Sequence, residues 1–211
     1  KLLDNKDPPQ QIPHTTTNGN VQVIGIHDIA TTNLTPLKTI VGQGYTMNIN
    51  VTVANQGDFT ETFNVTLYAN TTEIVTKEII LESGGSATIT FAWNTTGFAK
   101  GNYTLWAYAR PVQGETDTTD NTFTNGMVYI GIPGDIKPDG IVDIYDALKL
   151  SAAYGSKPNN TKWDPNADIN NDLIKDMYDA LILAANFGKR SIAFKSFKVP
   201  YYNIVMDLGE F

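Results

Sequence analysis

Cysteine is absent from the 211 residues. That excludes a disulfide framework and any zinc site built on thiolates. Histidine occurs twice, as His14 and His27, and no nucleophile elbow of the G-x-S-x-G kind is present. A glycosidase needs two carboxylates facing each other across a cleft, whereas the acids here cluster in a different pattern. No catalytic residue is assigned, and the expectation is that the chain is not an enzyme. No apolar run approaches the ~18 residues of a membrane-spanning helix. Basic residues are few, 15 Lys and Arg against 22 Asp and Glu, and the pI is near 4.7. With no basic cluster, nucleic acid is excluded as a partner. No signal peptide is legible in the sequence, and the expectation is that Lys1 follows a processed one or that the chain is a fragment.

The length suits one or two domains, and a hydrophobic content of 41% is enough for a packed core. The net charge of −7 has one main source: nine acids fall between Asp135 and Asp179. They belong to a unit written twice. DIKPDGIVDIYDALKLSAAYG starts at Asp135, and DINNDLIKDMYDALILAANFG starts at Asp168; the copies agree at 12 of 21 positions and start 33 residues apart. Each carries aspartates at positions 1, 5, 9 and 12, then an apolar-periodic segment ending at a glycine, Gly155 or Gly188.

That spacing suits calcium. A hard cation takes six to eight oxygens, and a 12-residue loop supplies them from positions 1, 3, 5, 7, 9 and 12, with a backbone carbonyl at 7. The first loop offers Asp135, Asp139, Ile141 (carbonyl), Asp143 and Asp146. The second offers Asp168, Asn170, Asp172, Ile174 (carbonyl), Asp176 and Asp179. One or two calcium ions are the expected cofactor. Position 12 is Asp rather than Glu in both, which shortens its reach. Lys137 replaces a ligand at position 3 of the first loop and brings an ammonium near the ion. Leu173 stands at position 6 of the second, where a left-handed backbone costs roughly 1–2 kcal/mol in a residue with a Cβ. The second loop is therefore expected to be strained but fully liganded, and the tighter of the two. The competing account of the same aspartates is helix capping on a polar turn.

The two copies resemble the duplicated calcium loop-helix units of type I dockerin modules, over about a quarter of the chain. The resemblance implies a small all-α, EF-hand-like module over residues 133–190 that docks onto a cohesin-type partner. It also implies that Ile144-Tyr145 and Met177-Tyr178 occupy partner-recognition places, with bulkier residues than usual there. Ala147, Leu148 and Leu150, and Ala180, Leu181, Leu183 and Ala184, are expected to line two short helices, with Trp163 plugging their shared core.

Residues 21–132 read as an all-β sandwich of about seven strands: Val21–Ile29, Tyr45–Asn55, Phe63–Ala69, Glu73–Leu81, Ala87–Trp93, Asn102–Arg110 and Thr122–Ile130. Met47, Ile49, Val51 and Val53 alternate with polar residues, the period of a half-buried strand. Tyr103 is a candidate tyrosine corner, and Trp93 and Trp106 are expected in the core. The stretch resembles a CARDB domain, an immunoglobulin-like module of archaeal and bacterial surface proteins. The residues that carry this are Asp28-Ile-Ala, Tyr45 to Gly57, Trp93 to Gly97, Gly101 to Thr104 and Glu115 to Phe123. Such a domain followed by dockerin-like repeats looks typical of archaeal extracellular proteins, with adhesion or spacing roles.

Seven Asn-x-Thr sequons occur, at Asn33, Asn50, Asn64, Asn70, Asn94, Asn102 and Asn159. They fit N-glycosylation of a secreted protein, or simple polar alternation where Asn and Thr share a strand face. Residues 1–20, rich in Pro, Thr and Asn, read as an extended arm or linker. Residues 191–211 form a β-prone tail in which Ile192, Phe194, Phe197, Val199 and Tyr201 partly alternate. It either folds back or is given as a strand to another copy of the chain, and head-to-tail exchange builds filaments. The overall expectation is a mixed two-domain, non-catalytic, extracellular or cell-surface protein. It is calcium-stabilised and either self-associates through its terminal strands or serves as an adaptor for a cohesin-type partner.

Overall fold

The computed structural model describes residues 14–17 and 19–191. The arm before His14 and the tail after Ser191, with the expected terminal-strand exchange, lie outside the described residues. Ten strands precede two helices: β1 His14–Thr17, β2 Asn20–Val23, β3 Ile29–Pro36, β4 Ile40–Gly42, β5 Thr46–Asn55, β6 Glu61–Ala69, β7 Thr72–Leu81, β8 Ser86–Asn94, β9 Gly101–Ala109, β10 Thr122–Gly131, α1 Ile144–Ala153 and α2 Met177–Asn186, with a single 3-10 turn at Pro165–Ala167. Eight strands make the mostly β, immunoglobulin-like part: a sheet ordered β3-β5-β8 and a sheet ordered β4-β10-β9-β6-β7. Strands β1 and β2 pair only with each other, His14 opposite Val23.

The sandwich is dictated by alternation. In β5 every second residue is buried, and Met47, Ile49, Val51 and Val53 are completely so. Val65 and Leu67 of β6, Phe91 and Trp93 of β8, and Leu105 and Ala107 of β9 join them in full burial. Each large side chain removed from water contributes about 1.5–3 kcal/mol. Tyr103 packs edge-on against Trp93, with ring centroids 5.6 Å apart at 77°.

Several expectations need correction. The strand read as Val21–Ile29 divides, because residues 24–28 run beside the 57–59 turn instead of a ladder. Ile26 N donates to Asp58 Oδ2 at 2.8 Å, and Asp58 N donates to Ile26 O at 2.8 Å. The approach is so close that a Cβ on Gly25 would lie 2.6 Å from the Phe59 ring. Two sandwich strands lie outside the expected set: β3, which pairs with β5, and β4, which is three residues long, too short to show a period, and lies parallel to the end of β10, Ile40 opposite Tyr129. Trp106 is not in the core. It shares the outer face of β9 with its cross-strand partner Tyr68.

Contacts divide the described residues into two compact units: those up to 39 with 47–93 and 102–128, and residues 40–46 and 94–101 with those from 129 to 191. In the second unit a small core of Ile132, Ile136, Val142, Leu150, Ala153, Ala167, Ile169 and Leu183 forms beneath the helices. Trp163 is not part of that cluster. It is half-buried, with the Lys175 ammonium over its ring. Leu148 and Leu181 point outward rather than into the core.

Candidate metal centres

Both helices start in the same way. Asp143 and Asp176 are the N-caps, and each carboxylate accepts from the backbone N–H two residues on, Tyr145 and Tyr178, at 2.8 Å. Asp146 and Asp179, at the third helical position, reach back with Oδ2 to the N-cap N–H at 2.9 and 3.0 Å, closing a capping box. Capping therefore accounts for positions 9 and 12 of each loop and leaves positions 1, 3 and 5 to be explained.

Position 1 folds the loop around itself. Asp135 accepts from Asp139 N at 3.3 Å and Gly140 N at 3.0 Å; Asp168 accepts from Asp172 N and Leu173 N, both at 3.1 Å. The second oxygen of position 12 closes the loop from the other side. Asp146 Oδ1 accepts from Ile136 N and Lys137 N at 2.9 Å, and Asp179 Oδ1 from Ile169 N at 2.7 Å and Asn170 N at 3.3 Å. Position 5 receives the N–H of position 7: Ile141 to Asp139 at 3.1 Å and Ile174 to Asp172 at 2.9 Å. Two sequences that differ at nearly half their positions thus settle into one hydrogen-bond pattern. The bend at position 6 is left-handed in both, φ 80 at Gly140 and φ 67 at Leu173.

The loops differ at position 3. Asn170 Nδ2 donates to Asp172 Oδ2 at 2.7 Å, while its Oδ1 accepts from Asp172 N at 3.1 Å. Lys137 places its ammonium 3.4 Å from Asp139 Oδ2 and over the Tyr145 ring. The first loop therefore carries a resident cation beside one of its carboxylates.

Electrostatics favour an incoming cation. Asp135, Asp146, Asp168 and Asp179 are all buried. Burial, with the charges of Asp146 and Asp139 added, pushes the Asp135 carboxyl up to about 6 against the pull of the Gly140 and Asp139 N–H groups. Burial likewise raises Asp179, and the charge of Asp172 adds to it. A divalent ion stabilises the charged form of all of these at once. Among the described residues no three carboxylate or imidazole groups stand in position to hold an ion by themselves. The donor set fits a hard cation by its chemistry, and filling it requires Asn170 and the Ile141 and Ile174 carbonyls as well.

One feature escaped the sequence reading. Each loop is clasped by the glycine that ends the other copy's helix. Gly188 N donates to Val142 O at 2.8 Å and Val142 N to Lys189 O at 3.0 Å; Gly155 N donates to Lys175 O at 2.8 Å and Lys175 N to Ser156 O at 3.1 Å. Val142 and Lys175 are both position 8. The signal was present as a glycine closing each copy, but only three-dimensional pairing shows which loop it grips. A second feature is a repeated apolar triad at positions 10, 11 and 14. Ile144, Tyr145 and Leu148, and Met177, Tyr178 and Leu181, are each more than half exposed. Between the helices lies an open apolar hollow of about 230 Å³ lined by Ala147, Leu150, Ser151, Tyr154, Ala180 and Leu183.

Elsewhere, His27 is engaged in the fold. Its Nδ1 lies 2.5 Å from Glu61 Oε1, and its ring stacks on Phe59. No helix among the described residues is long and apolar enough to cross a membrane.

Residues 28–125 match the family model of CARDB. The chain is similar to the CARDB domain of a Pyrococcus furiosus protein solved in complex with di-metal ions, at 22% identity over 50% of this chain and 89% of that one, TM-score 0.42. It is also similar to a domain of a candidate cell-surface protein from Methanosarcina acetivorans, at 29% identity over 50% and 92%, TM-score 0.41. A type II cohesin-dockerin domain from Bacteroides cellolosolvens is 33% identical over 30% of this chain and 97% of that one, with a TM-score of 0.26. No curated protein matches the chain.

Proposed function

We propose, on the premise that residues 28–125 form a CARDB domain, that the chain is a non-catalytic structural and assembly protein of the cell surface or extracellular space. The sandwich is the spacer, and residues 133–190 are a calcium-locked, dockerin-like module. Calcium is the fold staple: an ion that binds only the native state adds about 2.7 kcal/mol at a hundredfold excess over Kd. The acidic loops take the place that disulfides hold in other secreted proteins, since cysteine is absent. Some of the seven sequons carry N-glycans.

The observation that carries the assembly role is the repeated apolar triad beside the loops. Single exposed apolar residues are ordinary, but the same three exposed apolar positions repeated on two helices support a contact role. In the first reading the partner is another copy of the chain, with the terminal strands completing the contact. In the second, favoured by the duplication of the triad, a cohesin-type protein docks there, and either copy can present its set.

Electron microscopy of the purified protein in calcium, paired with capture by immobilised cohesin-type modules, separates the two. Polymers support self-assembly; monomers captured by a cohesin support the adaptor. In either case the Tyr145→Ser/Tyr178→Ser double variant loses the association. A monomer that binds neither overturns the proposal.

A further inference from the structure

The turn between β6 and β7 is built around Asn70. Asn70 and Thr71 alone connect the two strands, with Ala69 opposite Thr72, and Asn70 takes the left-handed backbone, φ 51. Asparagine tolerates this conformation better than other residues with a Cβ. The residue is then fixed to the neighbouring strand β9. Asn70 N donates to Thr104 O at 2.8 Å, and Thr104 N donates to Asn70 Oδ1 at 2.9 Å. The side-chain carbonyl is thereby committed to the protein, and the residue as a whole is exposed.

Directly beside it lies an aromatic platform. Tyr68 and Trp106 are cross-strand partners whose rings stack almost parallel, centroids 4.0 Å apart at 6°. Trp106 Nε1 donates to Asn70 O at 2.7 Å, which brings the indole edge against the asparagine. Both residues are half-buried on the outer face of the sheet. A flat aromatic face is electron-rich and attracts the polarised C–H groups of a sugar. The sequence Tyr68-Ala69-Asn70-Thr71-Thr72 therefore puts a glycosylation acceptor on a two-residue turn, with its threonine and an aromatic ring in the strands on either side.

The sequons at Asn33, Asn50 and Asn64 lack this arrangement. Asn50 and Asn64 lie in mid-strand and are half-buried, whereas Asn70 is exposed. Asn33 Nδ2, the atom that would be modified, already donates to Thr35 Oγ1, the hydroxyl of its own sequon, at 3.3 Å.

We infer that Asn70 is the principal N-glycosylation site of this protein and that its innermost sugar packs on the Tyr68–Trp106 stack, making the glycan part of the folded domain. The inference rests on the extracellular reading above and deepens it. The donor is a glycan carried on a lipid phosphate or diphosphate. The bond from Asn70 Nδ2 to the anomeric carbon forms, and the bond from that carbon to the phosphate oxygen breaks. The lipid phosphate leaves with the electron pair, and one amide proton passes to the transferase.

The full chain secreted from a yeast host tests this by glycopeptide mass spectrometry at each sequon and by melting before and after glycan removal. Asn70 is expected to be occupied in most molecules. Trimming to a single sugar should leave Tm unchanged, and complete removal, or Thr72→Ala, should lower it by about 2–4 °C. In Tyr68→Thr, an outer-face change that spares the core, the Tm difference between glycosylated and stripped forms should vanish. Occupancy at other sequons with Asn70 empty overturns this inference alone, as does an occupied Asn70 whose removal leaves Tm unchanged. A chain with no occupied sequon overturns the glycoprotein reading as well.

Discussion

Leu173 holds a left-handed backbone, φ 67, that its counterpart Gly140 adopts at φ 80 without a Cβ to strain. The residue is nearly half exposed, so packing compensates only in part. Leu173→Gly should therefore stabilise the protein by about 0.5–1 kcal/mol after the extra chain entropy of glycine is counted, a rise in Tm of about 1–4 °C by calorimetry. Lys137 presents the opposite case. Its ammonium lies 3.4 Å from a position-5 carboxylate and competes with any ion there. Lys137→Asn should tighten calcium binding at the first loop by about tenfold, a gain of roughly 1.4 kcal/mol, read by isothermal titration; unchanged affinity would mean that the Lys137 ammonium does not compete with the ion. Asp135 sets a pH dependence. Its folded carboxyl titrates near 6, above the ordinary carboxylate value, so the fold prefers the protonated form. That contribution is complete below the unfolded value and is lost as pH rises through about 6. In chelator, the melting temperature should fall between pH 5 and pH 7.5. Calcium, which needs the ionised carboxylate, should reverse that slope.

Among the elements, the loop-helix copies were the most legible. Aspartates at fixed spacing, a glycine at each end and a strained Leu173 were all readable, because loop chemistry is local. The N-caps at Asp143 and Asp176 and the left-handed Gly155 and Gly188 stand where the pattern puts them. What sequence could not give was pairing. The clasp of Gly188 on Val142 joins residues far apart in the chain, and β4 shows too few residues for a period. Trp106 was misread because alternation names two faces without saying which is inside; Leu105 and Ala107 took the inner one. The clasp yields a prediction at this scale. A Cβ on Gly188 would meet nothing within 4 Å, so Gly188→Ala tests backbone conformation alone and should cost about 1 kcal/mol in a denaturant titration. A neutral result would mean the turn at residue 188 relaxes without loss.

At the scale of the whole molecule, the division of labour is plain in composition. Apolar alternation builds the sandwich, and the acids are concentrated in a short unit that follows it. A chain without cysteine places its crosslinking chemistry, on this account, in two oxygen-lined turns that tie a helical pair together. Assembly then depends on that pair being rigid, because the apolar triads sit on the helices that the loops anchor. Self-association or cohesin capture should accordingly disappear in chelator, even where the sandwich stays folded.

The most direct test is a melting experiment on the wild type and Asp179→Ala, each in millimolar calcium and in excess chelator. The account predicts that calcium raises the wild-type Tm by about 5–10 °C. It also predicts that Asp179→Ala loses much of that rise, on top of a lower Tm in chelator from the lost capping and loop hydrogen bonds. Identical melting of the wild type in calcium and in chelator would contradict the account at its base.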